Sequence, residues 1–115
     1  MTYFADILVE KELKQKYRQL ALMNHPDKGG MLEKMQKINE EYSFLISRLG
    51  KVPDSISNVE IGNKIFVNKS ECIVTGVTEK LFTAKSLRTR KVAHFDKETG
   101  FALFNFKLRA SVFPN

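Results

Sequence analysis

The residues of this 115-residue chain that could do chemistry are concentrated in one short segment, His25-Pro26-Asp27-Lys28-Gly29-Gly30. The segment offers an imidazole, a carboxylate and an ammonium group, which could move a proton or bind a charged partner. Pro26 cannot continue a preceding helix and disfavours helical geometry at the residue before it, and the two glycines permit a turn with positive φ. We therefore expect His25 and Asp27 to be exposed at the tip of a turn.

Catalysis by these groups is not favoured. A histidine that activates a nucleophile needs a hydroxyl or thiol beside it, and no helical spacing places a Ser or Cys next to His25. The single cysteine, Cys72, cannot form an internal disulfide, and together with two histidines it cannot fill a four-ligand zinc site without carboxylates. Cys72 and His94 fall in apolar runs, where a half-buried side chain is commoner than a ligand or a reactive thiol. We expect a protein that is not an enzyme and has no cofactor and no metal.

The positive charge lies mainly in the second half of the chain. There are 19 Lys and Arg against 13 Asp and Glu, a net charge of +6. Residues 1–50 hold 8 basic and 7 acidic residues, whereas residues 51–115 hold 11 and 6, and also seven of the nine Phe. Residues 50–58 contain Pro, Ser and Asn and suit neither a helix nor a central strand. We interpret them as a linker between two modules, residues 1–49 and 59–115.

Length and hydropathy exclude several classes. A chain of 115 residues suits one ordinary domain or two very small ones, and it is too short for a (β/α)₈ barrel or a full dinucleotide-binding fold. The start of the chain carries no basic leader, and no apolar run approaches the roughly 18 residues that span a bilayer. We expect a cytoplasmic protein without membrane contact.

The first module has the periodicity of two amphipathic helices. The first run covers residues 8–23, with Asp6 as a possible N-cap, and the second stops at Gly50. Two such helices joined by a short loop should pack antiparallel, apolar stripe against apolar stripe. The apolar positions are Leu13, Tyr17, Leu20 and Ala21 in the first run, and Leu32, Met35, Ile38, Tyr42, Leu45, Ile46 and Leu49 in the second.

Local composition alone leaves two interpretations of the loop between these helices. In one, it is turn chemistry, and Asp27 caps the second helix. In the other, the exposed imidazole and carboxylate bind a partner.

Three segments of residues 3–49 resemble the J-domain family, the co-chaperone module named after DnaJ. They are Tyr17–Ala21, the His-Pro-Asp-Lys-Gly-Gly loop, and Met35–Tyr42 with its Asn39-x-x-Tyr42 motif. The resemblance implies that the tripeptide and the positive face of the preceding helix dock onto a DnaK-type heat-shock chaperone and stimulate its ATP hydrolysis. The implied contact residues are Lys14, Tyr17, Arg18, His25, Pro26, Asp27 and Lys28.

The chain also departs from that family. The residues before Lys11 leave room for a turn at most, where the family has a short first helix, and residues 50–58 replace the basic fourth helix. We interpret the first module as a minimal, truncated J-domain.

The second module has the pattern of an all-β domain. Five short runs rich in β-branched and aromatic residues are separated by turn residues, which favours an antiparallel barrel of the Src-homology-3 or oligonucleotide-binding kind. The expected strands are Lys64–Asn68, Glu71–Thr78, Leu81–Leu87, Lys91–Phe95 and Phe101–Lys107. The expected inward residues are Ile65, Val67, Ile73, Val77, Phe82, Phe95 and Phe104.

Two functions suit this barrel. Basic residues interleaved with Phe are typical of a nucleic-acid surface, and Lys85, Arg88, Arg90 and Lys91 are the candidates. Scattered lysines are also typical of any solvated surface, and in that case the barrel would dock a client or another protein.

The sequence therefore predicts an α+β protein of two small modules, a helical hairpin and a five-stranded antiparallel barrel. The predicted function is that of a J-domain-type co-chaperone that engages a DnaK-type chaperone and holds a client or partner on the barrel. The alternatives are a nucleic-acid-binding protein whose hairpin is structural, and an antagonist that occupies the chaperone without stimulating it.

Overall fold

The computed structural model describes residues 3–5, 7–25, 27, 29–104 and 107–114. The chain is α+β, as expected, and divides into two compact units, residues 1–47 and 48–115. Its elements, in chain order, are α1 (Glu10–Asn24), α2 (Leu32–Arg48), a 3₁₀ helix (Ile56–Asn58), β1 (Lys64–Val67), β2 (Ser70–Val77), β3 (Leu81–Ser86), β4 (Val92–Asp96) and β5 (Ala110–Ser111).

The first unit contains the expected pair of helices. Leu13 of α1 and Ile38 and Leu45 of α2 are buried, in agreement with the predicted apolar stripes, but Leu32, the first residue of the predicted second stripe, is exposed. The start of α1 was predicted wrongly: the helix begins at Glu10, and Val9 occupies the N-cap position without a side-chain hydrogen bond. The expected cap, Asp6, lies outside the described residues. Two glutamates in the first turn favour the helix start through its dipole.

The residues before α1 pack against α2. Phe4 is buried, and its ring lies 6.3 Å from that of Tyr42. The backbone N–H of Tyr3 donates to the Glu41 carboxylate at 3.2 Å, and that of Ile7 donates to the Phe4 carbonyl at 3.3 Å. A buried aromatic ring thus anchors a segment for which the sequence predicted no core residue.

The second unit is built on a five-stranded antiparallel sheet with the strand order β4-β3-β2-β1-β5. The sheet curls into a half-barrel. The first four expected strands are confirmed, and each lies within one residue of its predicted bounds. Runs of β-branched and aromatic residues bounded by turn residues were sufficient to place them.

The fifth strand was predicted wrongly. Instead of a strand over residues 101–107, the structure has two isolated bridges, Phe95 with Ala102 and Phe101 with Arg109, and a two-residue β5 further on. Residues 105–106 lie outside the described residues. Phe104, expected to face inward, is 94% exposed. The small residues Ala102 and Ala110 occupy the core instead, so no large ring is needed there.

A β-bulge explains the other error in the predicted core. The pairing of β2 with β3 shifts register between Val74 and Gly76. One extra residue at that point reverses the alternation, so Val74 and Val77 both pack with the core although they are three residues apart. Ile73 is buried but is not a member of that core, contrary to the prediction. The core residues are Val59, Ile65, Val67, Cys72, Val74, Phe82, Ala84, Phe95, Ala102 and Ala110.

Residues 50–58, expected to form a linker, make contacts within the second unit. The N–H of Gly50 donates to the Gly62 carbonyl at 2.9 Å, and the Lys51 carbonyl accepts from the Lys64 N–H at 2.8 Å. Ile56 packs against the half-barrel core. Among the described helices, none is long and apolar enough to cross a membrane.

Candidate functional site

The loop between the two helices begins where α1 is forced to end. His25 is the C-cap of α1 and has extended geometry, with ψ at 130°. This is the conformation that a residue before proline prefers. The Gly30 N–H donates to the His25 carbonyl at 3.0 Å, which closes the loop across its base. Pro26 and Lys28 lie outside the described residues.

The two glycines of the loop serve different purposes. Gly29 has a φ of 85°, a left-handed conformation that side chains disfavour. Gly30 approaches the end of α1 so closely that an added Cβ would overlap the Asn24 carbonyl. The glycine pair therefore allows the loop to fold back closely against the end of α1.

His25 and Asp27 lie together on this loop and face solvent. The backbone N–H of Asp27 donates to His25 Nδ1 at 3.2 Å, and one Asp27 carboxylate oxygen lies 3.7 Å from the same nitrogen. The Asp27 side chain is 89% exposed. A carboxylate at the tip of the loop is thus available to a cationic partner.

The outward face of α1 continues this site. Lys14, Arg18, Leu22 and His25 follow at spacings of three and four residues, so they share one side of the helix. The first three are exposed. The Lys14 ammonium lies 3.3 Å from the Glu10 carboxylate one turn earlier, an exposed ion pair that water readily replaces.

Sequence reasoning missed Leu22. Its side chain is 62% exposed, between Arg18 and the loop. Leu22 fell outside the apolar stripe of the first helix, and its spacing from Arg18 and His25 was the signal that could have identified it. A leucine between Arg18 and the loop gives this face an apolar contact.

Tyr17, another expected contact residue, lies in the packing between the helices. Its hydroxyl donates to Asn39 Oδ1 at 2.7 Å, and its ring stacks on Tyr42 with centroids 4.1 Å apart. Both partners belong to the Asn39-x-x-Tyr42 motif. The motif therefore holds the two helices of the hairpin together in this chain.

The basic candidates of the second unit are divided between two places. Arg88, Arg90 and Lys91 are exposed in the turn between β3 and β4. Lys85 lies within β3, half-buried, next to the core residue Ala84 and therefore on the opposite face of the sheet.

Cys72 and His94 were both expected to be half-buried, but Cys72 is buried and His94 is exposed. Cys72 belongs to the half-barrel core, and burial raises the pKa of its thiol. His94 is exposed, and its Nδ1 lies 2.8 Å from the Thr83 hydroxyl on the neighbouring strand. Within the described part of the chain, no cluster of three His, Cys, Asp or Glu side chains could hold a metal ion.

Part of the chain is similar to known proteins. Over 33 residues, 29% of this chain, it is 54% identical to a tetratricopeptide repeat and J domain-containing co-chaperone, DNJ1, of Mycosarcoma maydis. Over 46 residues, 40% of this chain, it is 46% identical to the mitochondrial import inner membrane translocase subunit TIM14 of Candida albicans. These stretches span 6% and 29% of the two relatives. No known family model and no solved structure matches the chain.

Proposed function

We propose that this protein is a J-domain-type co-chaperone that engages a DnaK-type heat-shock chaperone through the helical unit. The observation that carries the proposal is the exposed His25 and Asp27 pair at the end of a helix whose outward face presents cations. The partial similarity to a J domain-containing co-chaperone supports a co-chaperone role.

Charge placement, and not total charge, would direct this contact. The helical unit, residues 1–47, carries seven basic and seven acidic residues and so has no net charge. Arg18 and Lys14 on one face of α1 would steer an acidic surface of the chaperone. Asp27 would bind a cationic group at the tip, and the two opposite charges would fix the orientation of the complex.

The chemistry of such a complex would belong to the chaperone. A gain in ATP hydrolysis would come from binding energy that favours the hydrolysing conformation of the chaperone, which is a coupling between two sites. Leu22 would add a desolvated apolar contact at the centre of the face, where side chains contribute most to affinity.

The half-barrel would supply the second contact of the co-chaperone. It would hold the target that is brought to the chaperone, in the cytoplasm. In this proposal the hairpin stimulates ATP hydrolysis by the chaperone. A protein that binds the chaperone without stimulating it would be an antagonist and not a co-chaperone.

Two charge reversals on α1 test the proposed contact. Arg18→Glu changes the outward face, whereas Lys16→Glu makes the same change at another exposed position outside the row formed by Lys14, Arg18 and Leu22. Binding to an ATP-loaded DnaK-type chaperone should weaken at least tenfold for Arg18→Glu and change less than twofold for Lys16→Glu, estimates that follow from the cost of like charges at an interface. Equal weakening by the two variants would contradict a specific face.

A further inference from the structure

One end of the half-barrel collects basic turns. In an antiparallel meander the β1–β2 and β3–β4 turns lie at the same end, and here the Leu87 N–H donates to the Glu71 carbonyl at 3.1 Å, which joins them. The first turn carries Lys69, and the second carries the three exposed cations of the site described above. We name this the basic end; the cations of its two turns are Lys69, Arg88, Arg90 and Lys91.

The opposite end has mixed charge. It consists of the β2–β3 turn and the loop after β4, joined by a hydrogen bond from the Lys97 N–H to the Lys80 carbonyl at 3.0 Å. Two lysines there, Lys80 and Lys97, are accompanied by Glu79, Asp96 and Glu98. At the basic end, by contrast, Glu71 is ion-paired with Lys64 at 2.8 Å. The sheet is therefore electrostatically polarised along its strands.

An exposed aromatic ring lies at the basic end. Ala102 pairs antiparallel with Phe95 of β4, and the Leu103 N–H donates to the His94 carbonyl at 3.0 Å, so the chain runs toward the basic end as it reaches Phe104. Lys107 lies beside the β1–β2 turn, where its carbonyl accepts from the Asn68 side chain at 2.7 Å. Phe104 is 94% exposed. A phenylalanine that contributes nothing to the core can offer a full ring face to a ligand.

A cleft of about 270 Å³ opens at the same end. Its lining includes the buried apolar residues Cys72, Ala84 and Phe95, together with Ser70, Thr89 and Lys91, which are exposed. An apolar floor with hydroxyl groups and an ammonium group at the rim suits a flat heterocycle that carries hydrogen-bonding edges.

We propose that the basic end binds single-stranded nucleic acid, with the four cations on phosphates and Phe104 stacked on a base. Cations and an exposed ring on neighbouring turns are the combination that single-strand binding uses, because phosphates attract the cations and any base can stack on the ring. A duplex suits the site less well, since its bases are already stacked on each other. The inference extends the proposed function by naming the target that the half-barrel holds, but the binding reaction needs no chaperone.

Fluorescence anisotropy with labelled single-stranded DNA, single-stranded RNA and duplex DNA tests the proposal, using the full chain over a series of salt concentrations. Phe104→Ala should weaken binding of at least one single strand by about 5- to 150-fold and leave the salt dependence unchanged. Arg88→Gln with Lys91→Gln should weaken binding and reduce the slope of log affinity against log salt by about 1.4, because each phosphate contact contributes about 0.7. The DNA and RNA arms identify which strand is bound.

Matched controls use the rest of the second unit. Phe113→Ala removes another exposed ring, 64% exposed, and Lys80→Gln with Lys97→Gln removes the same charge from the opposite end. Both controls should bind normally. Any of four results would overturn the proposal. They are an equal loss of affinity in the controls, tighter binding of duplex than of single strands, displacement of the nucleic acid by polyglutamate at equal charge, and no binding at low salt. Because none of these residues lies in α1 or its loop, failure here would leave the chaperone contact intact.

Discussion

The contact between Tyr17 and the Asn39-x-x-Tyr42 motif predicts a graded loss of stability. Tyr17→Phe removes one neutral hydrogen bond of 2.7 Å that lies near solvent, and should cost about 0.5 kcal/mol, the lower limit for such bonds. Tyr17→Ala also removes the ring stacked on Tyr42. Because Tyr17 is half-buried, its loss should be smaller than the 3–5 kcal/mol typical of a fully buried ring, about 2 kcal/mol.

Urea unfolding of the full chain, followed by the helical circular dichroism signal, measures both losses. A double-mutant cycle of Tyr17→Phe and Asn39→Ala should show a coupling of about 0.5 kcal/mol, and Tyr17→Phe should retain chaperone stimulation. If the losses of unfolding free energy in the two single variants were additive, the hydrogen bond would be refuted. If Tyr17→Phe and Tyr17→Ala lost equal amounts of unfolding free energy, the ring stacking would be refuted. Normal stability with abolished stimulation in Tyr17→Phe would instead show that the hydroxyl contacts the chaperone.

Three further predictions concern the packing and are tested by thermal or urea denaturation. Phe82→Ala should cost about 3–5 kcal/mol because the ring is buried, whereas Phe104→Ala should change stability by less than about 0.5 kcal/mol; similar losses would contradict the assigned core. Gly30→Ala should cost about 1–3 kcal/mol, because the new methyl group would collide with the Asn24 carbonyl, and an unchanged midpoint would contradict the close return of the loop. Burial raises the pKa of Cys72, so the folded state keeps the thiol protonated at a pH where the unfolded chain has lost that proton. The free energy of unfolding should therefore fall as the pH rises above about 8.5, and it should fall more steeply than in Cys72→Ala. Equal slopes for the two proteins would contradict the burial.

Periodicity predicted most of the fold because the burial pattern follows the geometry of each element. Ile38 and Leu45 lie seven residues apart, two turns of α2, and the buried residues of β1 and β3 alternate with a period of two. These patterns depend on neighbouring residues alone, so a single sequence contains them.

The errors occurred where a distant contact decides the structure. The bulge between Val74 and Gly76 is a property of the pairing of two strands, and no residue of β2 alone identifies it. Likewise, phenylalanine is a residue type that is common in strands, but Ala102 and Ala110 already complete the core, and Phe104 is not needed there. Phe4 was missed because its partner, Tyr42, lies 38 residues further along the chain.

For the candidate site, the loop chemistry was visible in the sequence and its surroundings were not. Pro26 and the glycine pair predicted an exposed turn, and the structure places His25 and Asp27 on one. The sequence did not show whether Tyr17 lies on the inward or the outward side of α1, because tyrosine has both a polar hydroxyl and an apolar ring. Its hydroxyl and ring find partners in α2, and the exposed Leu22 takes the outward position.

The steady-state ATPase rate of a DnaK-type chaperone, titrated with this protein and with its Asp27→Asn variant, tests the central claim most directly. Asp27 is exposed, so the substitution should leave the thermal midpoint nearly unchanged while it removes the charge at the tip of the loop. We expect the unaltered protein to raise the ATPase rate in a saturable manner and Asp27→Asn to leave it at the basal level. An unaltered protein that binds the chaperone without raising the rate, or an Asp27→Asn variant that stimulates equally well, would contradict the account.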